Sequence, residues 1–81
     1  MPDVFERVVP RFTPRERDVL QLMADGKSAN VSSVLLNISE HTVVYHRRNA
    51  MHKLGSSTTT LAVARAVALG VVTVDFRGMP E

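Results

Sequence analysis

Apolar residues recur at helical spacing in four successive segments of the chain. Thr13 is placed to cap a helix that begins at Pro14, and Glu16 is placed to complete a capping box with it. Serine or threonine precedes each of the other three segments, and glycine or asparagine follows all four. The pattern therefore predicts an all-α fold of four helices, at 14–25, 28–36, 39–54 and 58–69.

The two ends of the chain carry weaker patterns. Apolar residues between positions 4 and 9 are helically spaced, but Pro10 interrupts them within two turns. Residues 71–76 have the composition of a β-strand without a hairpin partner, which predicts a short irregular or strand-like tail. The expected organisation is one domain over 13–72, a linker or short helix over 1–12, and a tail over 73–81.

Composition narrows the class of protein. The chain has 81 residues, enough for one small domain, and it has no cysteine for disulfides or thiolate metal sites. No apolar run is long enough to span a membrane, and the charged N-terminus differs from a signal peptide, so a cytoplasmic protein without a cofactor is expected. The net charge is only +2, but eight of the ten cationic residues are arginine, which suits phosphate and guanine contacts.

The third predicted helix carries most of the candidate chemistry. It follows a short helix and a tight turn, the arrangement of a helix-turn-helix, whose second helix enters the DNA major groove. Base contacts are predicted for His41, Val44, Tyr45 and Arg48, which share its outward face. Arg48 is the preferred base reader, because its guanidinium matches guanine O6 and N7. Phosphate contacts are predicted for Lys27, Thr42, His46, Arg47, His52 and Lys53.

The fourth predicted helix is apolar almost all round, and Arg65 is its one charged residue. One face is needed for the core, and the alanine side chains on the remainder allow another helix to approach closely. A second copy of the chain is the simplest cover for that surface, so a homodimer is expected. The predicted dimer contacts are Leu61, Ala62, Arg65, Ala66 and Leu69.

Several blocks of the chain, in order and in spacing, are similar to those of one family. They are Phe12 to Arg17, Gly26 to Ser28, Ile38 to Val43, Tyr45 to Asn49, Lys53 to Gly55, and Val63 to Ala66. Over about 12–72 the sequence resembles the LuxR-type, or GerE-like, DNA-binding domain of bacterial transcription regulators. The resemblance implies a four-helix domain without enzymatic activity, whose third helix reads double-stranded DNA and whose fourth helix pairs two copies on a two-fold site.

Three positions depart from the pattern of that family. Val44 stands where the family usually has Lys or Arg, which is compatible with a contact to a thymine methyl or with weakened binding. Thr59 replaces a common Arg, so a weaker dependence of DNA binding on salt is expected. In the second helix, Ser32 falls on a core position when the blocks are aligned without a gap.

A shift of one residue in the second helix is favoured over that ungapped alignment. The apolar spacing i, i+3, i+4 and i+7 would then face inward, as a helical pattern predicts. The shift places Val31, Ser32 and Leu35 on the buried face and lengthens the turn that follows.

Other functions are compatible with single features of the chain. A helix-turn-helix that has lost DNA contacts would be a protein-interaction module. The Thr-Pro-Arg-Glu opening and the Lys-Leu end are also similar to the promoter-reading domain of sigma factors, which would act as one copy with RNA polymerase. A regulatory domain of a longer protein would be a further partner. Metal binding is not expected, because His41, His46 and His52 lack helical chelate spacing, and Ser39 is needed as a helix cap rather than a nucleophile.

Overall fold

The computed structural model describes residues 10–74, so the predictions for 4–9 and for the end of the tail lie outside the described residues. Four α-helices follow one another, and no strand occurs in this part of the chain. They are α1 (Pro14–Ala24), α2 (Ala29–Leu36), α3 (Glu40–Lys53) and α4 (Thr59–Ala68). The predicted all-α fold is confirmed, and each predicted helix end lies within one residue of the observed end.

Each helix begins at a capped N-terminus. In the capping box of α1, Thr13 Oγ1 accepts a hydrogen bond from the Glu16 N–H at 3.1 Å, and Glu16 Oε1 accepts one from the Thr13 N–H at 2.9 Å. Ser28, Ser39 and Thr58 cap the other three helices through their side-chain oxygens. These hydrogen bonds join residues at most three positions apart, which explains why the sequence pattern located the helices.

The core forms where α1 packs against α3 and α4, while α2 packs against α3. Its fully buried apolar side chains are Val19, Leu20, Val43, Ala50, Ala62 and Ala66. Val43 and Ala50 belong to α3 and stand two turns apart on one side of it. They anchor that side in the core, so the opposite side of α3 faces outward.

Beyond α4 the chain is irregular as far as Val74, in agreement with the predicted irregular or strand-like tail. Val72 is buried in the core. The side chain of Gln21 in α1 bonds both backbone groups of Thr73, since its Nε2 donates to Thr73 O at 2.8 Å and its Oε1 accepts from the Thr73 N–H at 3.1 Å. Within residues 10–74, the helices are too short or too polar to cross a membrane.

The orientation of α2 contradicts the favoured one-residue shift. Ser32 is fully buried, whereas Val31, Val34 and Leu35 are 42%, 73% and 59% exposed. The ungapped alignment is therefore correct: Ser32 occupies a core position, and most of the apolar stripe faces outward. The shift was wrong because it relied on apolar spacing alone.

The turn between α2 and α3 agrees with this orientation. Asn37 ends α2 in the left-handed conformation, with a φ of 55°, which asparagine tolerates better than most side chains. The Ile38 N–H then donates to Ser33 O at 3.1 Å, and Ser39 caps α3 immediately afterwards. This closed turn joins α2 to α3 without a further residue, in line with the ungapped alignment.

The Ser32 hydroxyl is buried without a hydrogen-bond partner among residues 10–74. Such a group costs about 1–3 kcal/mol. We therefore expect Ser32→Ala to raise the free energy of unfolding by about 1 kcal/mol, measured by urea denaturation followed by circular dichroism. Ser33→Ala is the matched control and is expected to be nearly neutral, because it loses the bond from Ser33 Oγ to Asn30 O at 2.6 Å but gains helix propensity. A Ser32→Ala variant less stable than this control would contradict the prediction.

Candidate nucleic-acid interface

The outward side of α3 is exposed from its first turn to its last. We call this surface the recognition face and define it as His41, Val44, Tyr45, Arg48 and His52, all of which are exposed. The structure thus brings together on one surface the four residues predicted to contact bases. Tyr45 is 62% exposed and Val44 is 37% exposed. Because α3 follows α2 through a short turn, it is the second helix of a helix-turn-helix.

A groove runs beside the recognition face, between α3 and the turn that leads to α4. It encloses about 390 Å³ and is lined by side chains that include Val44, Arg47, Arg48, Met51, His52 and Ser57. Arg47 is half-buried, and its Nε is buried without a partner among residues 10–74. If the Arg47 side chain moved so that this N–H reached an oxygen, the N–H would gain the hydrogen bond that it lacks. The position of Arg47 on the flank of α3 therefore suits a phosphate oxygen better than a base edge.

Lys53 is exposed at the end of α3, but its ammonium bonds groups of its own chain. Its Nζ donates to Glu16 Oε1 at 2.6 Å and to Arg11 O at 3.0 Å, and lies 5.8 Å from the centre of the Phe12 ring. The side chain of Glu16 is only 4% exposed, so the ion pair is largely shielded from solvent. Lys53 thereby ties the end of α3 to the start of α1, a role that sequence reasoning missed because Glu16 lies 37 positions away.

The pKa of Glu16 lies below its ordinary value of 4.5. Burial acts to raise this pKa, but the hydrogen bond and the charge of Lys53, together with the hydrogen bonds from Thr13, lower it by more. Because the folded protein holds the carboxylate in its charged form, the pair contributes stability at neutral pH. That contribution is lost as the pH falls through the folded-state pKa.

Three other residues predicted to contact phosphate lie at or near the surface. Lys27 is exposed in the turn before α2. Thr42 is half-buried in the first turn of α3, with its Oγ1 2.8 Å from Ser39 Oγ. His46 is half-buried, and its ring centre lies 5.3 Å from that of Tyr45 in an edge-to-face arrangement. Contacts of these residues with phosphate stay predictions.

Arg65 is exposed and supports the end of α3, and its predicted contact with a second copy stays a prediction. Its Nη1 donates to Leu54 O and Gly55 O, both at 2.7 Å. These carbonyls follow the last turn of α3, where backbone oxygens lack helical partners. Gly55 has a φ of +62°, and a Cβ at this position would lie 3.3 Å from Arg65 Nη1. Glycine therefore permits both the left-handed turn and the close approach of the guanidinium.

The buried side of α4 requires a correction to the predicted dimer contacts. Ala62 and Ala66 are fully buried in the core of their own protomer, so neither presents a surface to a second copy. Leu69 is half-buried. The exposed apolar residues on the opposite side, which we call the α4 surface, are Leu61, Ala64, Val67 and Ala68. Of these, Leu61 and Val67 are the large side chains, 40% and 41% exposed.

A helix-turn-helix whose second helix presents arginine and aromatic side chains has the architecture of a DNA-binding domain. Residues 10–66 match the family described as bacterial regulatory proteins, luxR family, also named GerE. The structure of transcription factor GerE matches this fold with a TM-score of 0.74 and 38% sequence identity, over 79% of this chain and 96% of that one. The chain therefore belongs to the luxR family of bacterial regulatory proteins, as its sequence blocks indicated.

Curated relatives of the chain are longer proteins. The HTH-type quorum-sensing regulator RhlR of Pseudomonas aeruginosa is 47% identical over 58 residues, which cover 72% of this chain and 24% of that protein. The HTH-type quorum sensing-dependent transcriptional regulator RpaR of Rhodopseudomonas palustris is 47% identical over 62 residues, which cover 76% of this chain and 26% of that protein. The chain spans about a quarter of the length of these relatives. The similarity is thus to the helix-turn-helix domain of LuxR-type regulators.

Proposed function

We propose that this chain binds double-stranded DNA in a sequence-specific manner and regulates transcription, with α3 in the major groove. The observation that carries the proposal is the recognition face, whose five exposed side chains lie on a helix anchored from behind by Val43 and Ala50. The major groove of B-DNA admits one α-helix, and a helix with arginine on its outward side matches the base edges there. The family consists of regulatory proteins, so we propose no enzymatic activity.

Base contacts and phosphate contacts are assigned to different residues in this proposal. Arg48 would contact guanine O6 and N7, with His41, Val44 and Tyr45 contacting neighbouring bases. Backbone N–H groups at the N-termini of α2 and α3 would help to hold phosphates. Lys53 would have to exchange its bond to Glu16 for one to a phosphate. The proposed phosphate contacts are Lys27, Thr42, His46, Arg47, His52 and Lys53.

We further propose that two copies pair through the α4 surface on a two-fold DNA site. Exposed apolar side chains on an alanine-rich helix allow a second helix to approach closely. One face of a short helix is small beside the roughly 800 Å² per partner of a stable complex. Pairing is therefore expected chiefly on DNA, where both copies are held together and half-sites lie roughly 34 Å apart.

A second candidate function, contact with another protein, is favoured by the outward side of α2. Val31, Val34 and Leu35 are exposed there, at 42%, 73% and 59%. RNA polymerase, or a regulatory domain of a longer protein, would be a partner of this kind. Bacterial DNA lies in the cytoplasm, so we propose a cytoplasmic location for a chain that binds it.

Arg48→Ala is the variant that tests base reading. We expect it to weaken binding to the preferred DNA site by about 1–3 kcal/mol and to relax the choice of base, because a bidentate contact to guanine is lost. Arg47→Ala is the matched control and is expected to weaken binding to preferred and random DNA alike. The preferred site is obtained by selection from a pool of random duplexes, and affinities are measured by fluorescence anisotropy at several salt concentrations.

Two results would count against these assignments. Equal losses on preferred and random DNA from Arg48→Ala would remove its base-reading role. If the unmodified protein showed no salt-sensitive binding to any duplex, the DNA-binding function would be rejected in favour of the protein-contact function.

A further inference from the structure

We infer that Val44 recognises the 5-methyl group of a thymine, in a half-site where that thymine lies within about two base pairs of the guanine contacted by Arg48. This inference rests on the proposed function and adds to it the identity of a base. It also distinguishes two interpretations of the apolar residue at position 44. In one, Val44 makes a specific contact with a base, and in the other it weakens the interface with DNA.

The surroundings of Val44 favour the specific contact. The side chain is 37% exposed and stands on the recognition face, one turn before Arg48. Val44 and Met51 are the apolar side chains that line the groove beside α3, and they stand two turns apart on the helix. A phosphate or a polar base edge placed against the Val44 side chain itself would lose water without gaining a hydrogen bond from it.

The major groove offers one good complement to such a surface. Thymine is the base that presents a methyl group there, while the other base edges present donors and acceptors. Residues 44 and 48 are separated by about 6 Å along the helix axis, from a rise of about 1.5 Å per residue. Successive base pairs are about 3.4 Å apart, so the two residues would reach bases about two steps apart or closer.

Replacement of thymine by deoxyuridine tests the inference, because the two differ only by the methyl group. In the selected duplex, each thymine is replaced in turn and the affinity is measured by fluorescence anisotropy. We expect the replacement of one particular thymine in each half-site to weaken binding about fourfold. This factor corresponds to about 0.8 kcal/mol for one buried methyl. Replacement in both half-sites should weaken binding roughly 15-fold.

Protein variants assign the methyl contact to a residue. Val44→Ala should bind the thymine and deoxyuridine duplexes equally, because the contacting methyl groups are gone. Val34→Ala is the matched control, since Val34 is 73% exposed on α2, outside the recognition face, and should keep the fourfold difference. Tyr45 is the neighbouring residue that competes for the role, because its ring is 62% exposed on the same face.

The outcomes separate this inference from the proposed function. If the protein preferred the selected duplex over random DNA, but no replacement of thymine by deoxyuridine changed the affinity, the inference would be overturned. The proposed function would be left intact. A fourfold difference that persists in Val44→Ala would overturn the inference too, by assigning the methyl to another residue. The absence of any preferred duplex would overturn both.

Discussion

Replacing both Leu61 and Val67 by glutamate is expected to lower the affinity for a two-fold DNA site by about a hundredfold or more. Both side chains are exposed on the α4 surface, at 40% and 41%. In a symmetric interface each new carboxylate meets carboxylates of the partner, and like charges there are strongly unfavourable. A protein that cannot pair loses the gain in DNA affinity that comes from binding two half-sites at once. This gain is about 10²- to 10⁴-fold. Affinity is measured by anisotropy, and the number of copies on the duplex by sedimentation velocity.

A duplex with a single half-site provides the control for this prediction. The double variant and the unmodified protein should bind it with similar affinity, because neither substitution touches the recognition face. Far-UV circular dichroism checks that the helical content is unchanged. Binding of two copies of the variant to the two-fold site with unchanged affinity would rule out the α4 surface as the interface.

Lys53→Met is expected to lower the free energy of unfolding by about 2–3 kcal/mol, or the midpoint of thermal unfolding by about 10–20 °C. Methionine keeps the aliphatic length of the side chain but removes the ammonium. The carboxylate of Glu16, whose side chain is 4% exposed, then stays buried without its cation. The change is measured by urea denaturation followed by circular dichroism.

Arg15→Met is the matched control for the loss of this ion pair. Arg15 Nη1 lies 3.4 Å from Asp18 Oδ2, and both side chains are largely exposed, at 41% and 51%. Exposed pairs contribute little, so this substitution should change stability by about 0.5 kcal/mol or less. If Lys53→Met and Arg15→Met lowered the free energy of unfolding by the same small amount, the ion pair of Lys53 with Glu16 would not stabilise α3. This result would contradict the prediction.

Acid should reduce the difference in stability between the unmodified protein and Lys53→Met. The folded-state pKa of Glu16 is below 4.5, so the stabilising charge is fully present above that ordinary value and is lost as the pH falls through the lower, folded value. The difference should therefore be largest near neutral pH and shrink as the pH falls, until Glu16 is protonated in the unmodified protein as well. A difference that stays constant down to pH 3 would show that the charge of Glu16 has no part in it.

Short-range signals account for the features that were predictable from sequence. Thr13 and Glu16 form their capping box within a single turn, and Ser39 caps α3 three residues from its partner Thr42. The recognition face follows from helical spacing once Val43 and Ala50 are placed in the core. Such interactions need no knowledge of the tertiary fold.

The remaining contacts depend on residues that are distant in sequence. The contacts of Lys53 with phosphate and of Arg65 with a second copy stay predictions, and the structure adds bonds from their cationic groups to Glu16 and to the end of α3. Nothing local distinguishes a lysine that pairs across the fold from one that faces solvent. For Ser32, apolar spacing indicated the wrong side of α2, whereas the closed turn at Asn37 is in line with the ungapped alignment.

The central claim is that the recognition face of α3 enters the major groove. Intermolecular nuclear Overhauser effects between labelled protein and the selected duplex test it most directly, and a domain of 8.9 kDa suits the method. We expect cross-peaks from the Val44, Tyr45 and Arg48 side chains to major-groove protons, including one thymine methyl at Val44. Cross-peaks that come instead from Val31, Val34 and Leu35 on α2, with none from α3, would contradict it.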